Sequence, residues 1–354
     1  MKKTYINGLG CISAQKTFDT IFLEEAELNE NEIVLPLKSP VYKDFIPPVA
    51  IRRMAKGVKN GIVASTLALR DSHIENVDAI ITGTGMGCIE DSEKFLKAIL
   101  DNNEQFLTPT SFIQSTHNTV GGQIALGLQC KSYNLTYVNG SVSFDSALLD
   151  AKMKIEEEEA SSVLVGGIDE SGDYTVSLFK LAGFLKEEHQ SPYTVLNSTT
   201  KGVVFGEGAT FFALENEKKD NTYAEILDIE ILNKLDINEV ENKIISFLDF
   251  NNLKISAIDA IVLGYNGDVD SDLYYDELTK STFVNTPQVY YKHLTGEYDT
   301  VSAFGLWVGA KIIQTQTIPE IVKINAVENA VYKTILLYNQ RNGIDHSFTL
   351  ITKC

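Results

Sequence analysis

Asp78-Ala-Ile-Ile-Thr-Gly83 is a short apolar run closed by glycine, and it returns later in the chain as Asp259-Ala-Ile-Val-Leu-Gly264. An apolar run of this length, bounded by turn residues, reads as a buried strand. A second pair of matches keeps the same order: Val142-Ser143 followed by Ala151-Lys152, and Val301-Ser302 followed by Ala310-Lys311. Self-similarity at long period reports duplicated units, so two copies of one α/β half are expected. The matches lie further apart in the first half. Cys88 to Ser115, with its Asn/Gln-rich middle, is the natural place for the surplus.

Around these strands the pattern alternates. Val58 to Arg70 and Asp145 to Glu159 carry apolar residues at helical spacing, and Ser162-Val-Leu-Val-Gly166 reads as another buried strand. Strands alternating with helices predict parallel sheets covered by helices. Val203 to Leu214 departs from this: two β-rich runs flank Gly206-Glu207-Gly208, which predicts a hairpin or bend. The seam between halves is expected in the polar stretch Asn216 to Asn221, giving units 1–216 and 217–354 that pack as one body.

Composition narrows the function. The chain has 354 residues with 44% hydrophobic and 22% charged, as in a protein that buries a large core. Its 30 basic and 48 acidic residues give a net charge of −18. Such a surface repels phosphate backbones and anionic lipid, which argues against nucleic-acid and membrane-surface binding. Cys11, Cys88, Cys130 and Cys354 are far apart, without metal-ligand or disulfide-framework spacing. No cofactor or metal is expected, and a reducing cytoplasm fits best. Lys2-Lys3 before an apolar run ending at Cys11 faintly suggests an export signal, but Asn7 and two glycines interrupt it.

Four stretches carry a resemblance. They are Ile6-Asn-Gly-Leu-Gly10, Phe112-Ile-Gln-Ser-Thr-His-Asn-Thr-Val-Gly-Gly-Gln-Ile-Ala125, Val163-Leu-Val-Gly-Gly-Ile-Asp169 and Lys201-Gly-Val-Val-Phe-Gly-Glu-Gly-Ala209. In this order and spacing the chain resembles the β-ketoacyl synthases, the condensing enzymes of the thiolase superfamily, over almost its whole length. The resemblance implies an α/β, thiolase-like fold: two duplicated halves stacked in five layers (α-β-α-β-α). It places dimerisation and cap insertions in the N-terminal half, and implies a dimer built through the strand that follows the active-site region.

Ketosynthases attack with a thiol at a helix N-terminus, where the dipole favours the thiolate. Two histidines then stabilise the enolate left by decarboxylation. The positions that match this triad are Ser141 in Val138-Asn-Gly-Ser-Val-Ser143, Asn266 in Tyr265-Asn-Gly-Asp268, and Glu297 in Lys292-His-Leu-Thr-Gly-Glu297. The family's Gly-Phe-Gly-Gly-x-Asn loop is reduced to Arg341-Asn-Gly-Ile-Asp-His346. All four elements depart together. Ser141 could be a nucleophile only with an adjacent base, for which Glu297 is the one candidate in register; capping of the following helix explains Ser141 and Ser143 without chemistry. Asn266 could still donate to a carbonyl, whereas a Glu297 carboxylate would oppose an oxyanion.

Other residues carry weaker signals. His117 and Asn118, with Phe144 and Phe205, fall in stretches the resemblance places near the acyl cavity and dimer interface. His293 reads as a structural or solvent-facing histidine, and Cys88 and Cys130 have no basic neighbours in sequence to activate them. Gly206-Glu207-Gly208 lacks the Lys-Ser/Thr of a phosphate loop, and Glu156 to Glu159 reads as the solvated end of a helix. Arg52 and Arg53, with Lys56 and Lys59, form a basic cluster on an acidic chain, at a helix expected to open at Ala50. The resemblance assigns Arg52 and Arg53 to docking of acyl carrier protein; a solvated helix face is the alternative.

The expectation is a degenerate, non-catalytic ketosynthase homologue of the chain-length-factor type. Such a subunit pairs with an active ketosynthase and shapes its acyl tunnel in type II polyketide or fatty-acyl biosynthesis, aryl-polyene pigments included. The alternatives are a Ser141-dependent acyltransferase or thioesterase, and a homodimer that only binds acyl chains or carriers.

Overall fold

A computed structural model of the chain describes residues 2–18 and 20–354. The first half contributes strands β1 (Thr4–Ile12), β2 (Ala79–Gly83), β3 (Tyr133–Tyr137), β4 (Ser162–Asp169) and β5 (Gly208–Glu215). Its helices are α1 (Pro48–Ile51), α2 (Lys56–Ser72), α3 (Ile89–Asp101), α4 (Pro109–Gln114), α5 (Thr119–Leu128), α6 (Ser143–Glu156) and α7 (Asp173–Leu181). The second half has β6 (Ala224–Asn233), β7 (Ala260–Leu263), β8 (Gln288–Tyr290), β9 (Thr334–Arg341) and β10 (Asp345–Thr352). With them come α8 (Ile237–Phe250), α9 (Val269–Lys280), α10 (Lys292–Thr295) and α11 (Ser302–Thr315).

The strand order β3-β2-β4-β5-β1-β6-β10-β9-β7-β8 records the duplication. Read from either end it runs third, second, fourth, fifth, first. The pairings repeat as well: β2 is parallel to β3 and β4, with β5 antiparallel to β4 and β1. Likewise β7 is parallel to β8 and β9, with β10 antiparallel to β9 and β6. The sheets are therefore mixed, not wholly parallel as the alternation of elements predicts. Among the described residues the two sets pair only where Thr4–Ile6 meet Ala224–Ile226.

Three cores separate the layers. The central one joins α6 (Phe144, Ala147, Leu148) and α11 (Phe304, Trp307, Val308) to the inner faces of both sheets. A second lies under α2 and α5, a third under α8 and α9. This is the five-layer thiolase-like architecture. Close packing explains Gly8 and Gly10: a Cβ there would stand 2.1 and 1.9 Å from the Ala68 and Ala64 carbonyl oxygens of α2.

Two local readings are corrected, and the surplus of the first half falls where the sequence places it. Gly206-Glu207-Gly208 is a bend into the single strand β5, not the turn of a hairpin, because Val203 and Phe205 bridge instead to Leu185, Val34 and Glu297. The basic helix does not open at Ala50: α1 ends at Ile51, a turn follows, and α2 begins at Lys56. Between β2 and β3 the first half carries α3, α4 and α5, where the second half carries α9 alone.

Candidate functional site

Strand β3 runs out through Val138 into a one-turn 3-10 helix, Gly140–Val142, that leads into α6. Ser141 is buried in that turn, and its hydroxyl donates to Asp345 Oδ2 at 2.8 Å. Ser143 Oγ accepts from the Asn139 amide (2.8 Å) and donates to the Gly140 carbonyl (2.7 Å). Neither serine caps α6, whose N-cap residue is Val142; both brace the turn before it. The N-cap reading is corrected accordingly. The carboxylate that meets Ser141 is likewise Asp345, at the start of β10, and not Glu297.

Asn266 follows β7. Its amide and that of Gly267 donate to the two oxygens of Asp272 on α9 at 3.0 and 2.8 Å. Burial pushes the Asp272 carboxyl up to about 7 against these two bonds. The Asn266 side chain is used at both ends: Oδ1 accepts from the Asp268 amide (3.0 Å) and Nδ2 donates to Glu297 Oε2 (2.8 Å). That same Oε2 receives the Lys292 ammonium at 2.8 Å. Lys292 and Glu297 flank the Thr295-Gly296 turn, their side chains 1% and 3% exposed. A buried pair of this kind is held by the penalty of leaving either charge alone.

The C-terminal loop is a tight hairpin. Ile344 N–H donates to the Arg341 carbonyl at 3.0 Å, and Asn342 and Gly343 both have positive φ (54° and 65°). Asn-Gly in this conformation is a type I′ turn, whose twist matches the flanking strands. Arg341, at its base, reaches inward to pair with Asp299. Asp299 stands near Asp169, whose oxygens accept from Thr84 Oγ1, the Gly85 amide, and the amide and hydroxyl of Thr300 at 2.8–2.9 Å. Burial raises both carboxyls; repulsion by Asp299 adds to the rise at Asp169, while at Asp299 the Arg341 guanidinium opposes it.

The three triad positions thus lie within a lattice of ion pairs and hydrogen bonds. Among the described residues it contains no thiol, and no imidazole donor faces the site. Glu297, accepting from Lys292 and Asn266, presents carboxylate oxygen where an enolate would need donors. The sequence motifs mark none of Lys292, Asp169, Arg341 and Asp345 as part of the site, and Asp299 belongs to no motif.

A pocket of about 120 Å³ remains at the mouth, lined by Phe179, Phe184, Phe205, Asn266, Glu297 and Arg341 among others. Phe205 lines it and packs edge-on against Phe179. Phe144 does not: it sits in the central core against Phe212, beside an interior void of about 10 Å³ near Asp145 and Ser302. His117 and Asn118 are exposed at the start of α5. His293 stacks on Tyr290, its Nε2 lies 2.8 Å from the Ile321 carbonyl, and burial lowers it to about 4, so it is structural. Burial raises the Cys88 thiol far above its ordinary value, which makes it unreactive.

Of the basic cluster, Lys56 is consumed by Glu207 (2.6 Å) and Glu90 (3.5 Å), and Lys59 lies over the Tyr42 ring. Arg52 and Arg53 are exposed and make no ion pair among the described residues. Behind them Glu170 accepts from the Gly57 amide (2.5 Å) and the Glu90 amide (3.0 Å), joining the starts of α2 and α3.

At the three positions that the resemblance matches to the ketosynthase triad the chain carries Ser141, Asn266 and Glu297. A sequence profile of the β-ketoacyl synthase N-terminal domain matches residues 26–192. No curated protein sequence matches the chain. Among solved structures it is similar to a β-ketoacyl synthase from Burkholderia phymatum, at 16% identity and TM-score 0.81, covering 100% of both chains. It is similar to the ishigamide ketosynthase/chain length factor at 18% identity and TM-score 0.79, covering 100% of this chain and 99% of that one. A ketosynthase in complex with its chain length factor from Xenorhabdus doucetiae follows at 12% identity and TM-score 0.74, covering 100% and 98%. Residues 26–192 thus match the β-ketoacyl synthase N-terminal domain, and the whole chain shares the fold of these solved structures.

Proposed function

We propose that this protein is a non-catalytic, chain-length-factor-type subunit that pairs with an active β-ketoacyl synthase and shapes its acyl tunnel in type II polyketide or fatty-acyl biosynthesis. The observation that carries the reading is Glu297 held between Lys292 and Asn266, where a ketosynthase places a histidine. The partner supplies the cysteine and both histidines. Similarity to two ketosynthase–chain length factor structures supports the same reading.

The two halves of the duplication differ at their outer edges in a way that favours assembly. Edge strand β8 is covered by its own chain, through the Val289–Lys323 bridge and the Ile324 amide on the Gln288 carbonyl. Its counterpart β3, Tyr-Asn-Leu-Thr-Tyr, pairs among the described residues only with β2 and carries no charge. Unprotected neutral edges invite a further strand. The helices beside it expose Leu126 and Met153, at 71% and 47%. Arg52 and Arg53 offer an acyl carrier protein its basic contact. Residues 1–216 and 217–354 act as the two halves of one cytoplasmic body.

The competing reading, an acyltransferase or thioesterase with Ser141 activated by Glu297, has no contact between those groups in its favour. Co-expression with the active ketosynthase of the same genome tests the proposal. A stable 1:1 complex is expected; a homodimer that ignores the ketosynthase would overturn it.

A further inference from the structure

Lys186 is 3% exposed and forms no ion pair among the described residues. A charge this deep in the interior has to be matched by polar groups. Four neutral oxygens surround its ammonium: Ser198 Oγ at 3.0 Å, the Thr200 carbonyl at 3.1 Å, Thr200 Oγ1 at 2.7 Å and the Gly267 carbonyl at 2.5 Å. An ammonium has three N–H donors. Four acceptors around three protons hold the charge by coordination as well as by directed hydrogen bonds. Burial lowers the ammonium from its ordinary 10.5, and Asp268 and Asp272, beyond the shell, oppose the fall. Both carboxylates are kept out of the shell by backbone amides: Gly202, Asp270 and Ser271 donate to Asp268, and Asn266 and Gly267 to Asp272.

The shell closes segment 186–203 onto the turn that follows β7. The Lys186 amide donates to the Val203 carbonyl, and the Val269 amide to the Thr200 carbonyl, each at 3.0 Å. The Gly202 amide reaches Asp268 Oδ2 at 2.6 Å. Two backbone carbonyls and two hydroxyls, without a carboxylate among them, suit one kind of ion. A divalent cation calls for carboxylate ligands, whereas carbonyl oxygens can replace the hydration shell of potassium. We propose that Ser198, Thr200 and Gly267 form a monovalent-cation site that the chain fills with its own Lys186 ammonium, so that segment 186–203 closes without an ion from solution. The inference goes beyond the subunit reading and does not rest on it, since it needs neither a partner nor turnover.

The test is thermal unfolding of the full chain carrying Lys186→Ala, at one ionic strength in tetramethylammonium, sodium, potassium or ammonium chloride. The variant should lose stability in tetramethylammonium, an ion too large for the shell. Ammonium or potassium should restore at least half of that loss, saturably, and sodium less, because the shell has the size of an ammonium. Hydrogen exchange at the Gly202 and Val269 amides should quicken in the variant and slow again with ammonium. Lys186→Met fills the space without a charge and should respond alike to all four salts, as should the natural protein. A variant left unfolded or unrestored in every salt would overturn the assignment. So would equal gains from all four cations, or the same rescue in Lys186→Met, either of which is a general effect of salt.

Discussion

Glu297 receives the Lys292 ammonium and the Asn266 amide on one oxygen, each at 2.8 Å, with its side chain 3% exposed. Such a carboxylate is locked between two donors that it cannot leave without stranding a charge in the interior. The same contact that removes histidine chemistry from the site therefore holds together the turn after α10 and the turn after β7.

This has a measurable consequence. Lys292→Met leaves Glu297 buried without its cation, and should cost about 3–5 kcal/mol in urea unfolding. Lys292→Met/Glu297→Gln removes both charges and should recover most of that loss. Equal destabilisation by the single and double variants would mean that the pair itself is not what holds the turns.

A second prediction concerns Asp145, buried in α6 with Ser302 Oγ donating to it at 2.8 Å. Burial raises its carboxyl to about 6 from an ordinary 3.8. The folded state therefore binds a proton that the unfolded state has released between those values. The associated stability is complete below pH ~4 and is lost as pH rises through ~6, by at most about 3 kcal/mol. Asp145→Asn keeps the acceptor for Ser302 and removes the titration. Relative to the variant, the natural protein should lose stability between pH 4 and pH 7 in denaturant titrations; a constant difference across that range would refute the assignment.

The docking surface reduces to two residues, since Lys56 is paired with Glu207 and Glu90. Arg52→Glu/Arg53→Glu should weaken acyl carrier protein binding in a salt-dependent manner, measured by titration at low and high ionic strength. Lys56→Gln should act on stability instead. Unchanged carrier affinity in the double arginine variant removes the docking role.

Leu135 lies at the centre of the open edge β3, 38% exposed. Leu135→Lys places a charge where a neutral strand would be buried against another chain. It should abolish co-purification with the ketosynthase while leaving the thermal midpoint of the isolated chain within a few degrees. A complex that survives this change would put the partner on another face.

Much of this was legible in the residues. The Asp78 and Asp259 runs disclosed the duplication because fully buried parallel strands must be apolar throughout, and β2 and β7 hold equivalent places in the strand order. Ser141, Asn266 and Glu297 could be named because turns and glycines fixed their register. Their partners could not be read. Asp345 and Asp299 reach Ser141 and Arg341 only after the chain has closed over some two hundred and some forty positions of sequence, respectively. Gly206-Glu207-Gly208 misled for a related reason: Glu207 is not a turn residue but a buried acceptor for Lys56, Ser171 and Leu37.

The most direct test is intact-mass analysis of the isolated protein after incubation with malonyl- and acyl-loaded carrier protein, with carbon dioxide release followed in parallel and Ser141→Ala as control. With Ser141 bound to Asp345 and no imidazole facing it among the described residues, no mass gain and no carbon dioxide are predicted. An acyl adduct that disappears in Ser141→Ala would contradict the account and make Ser141 a nucleophile.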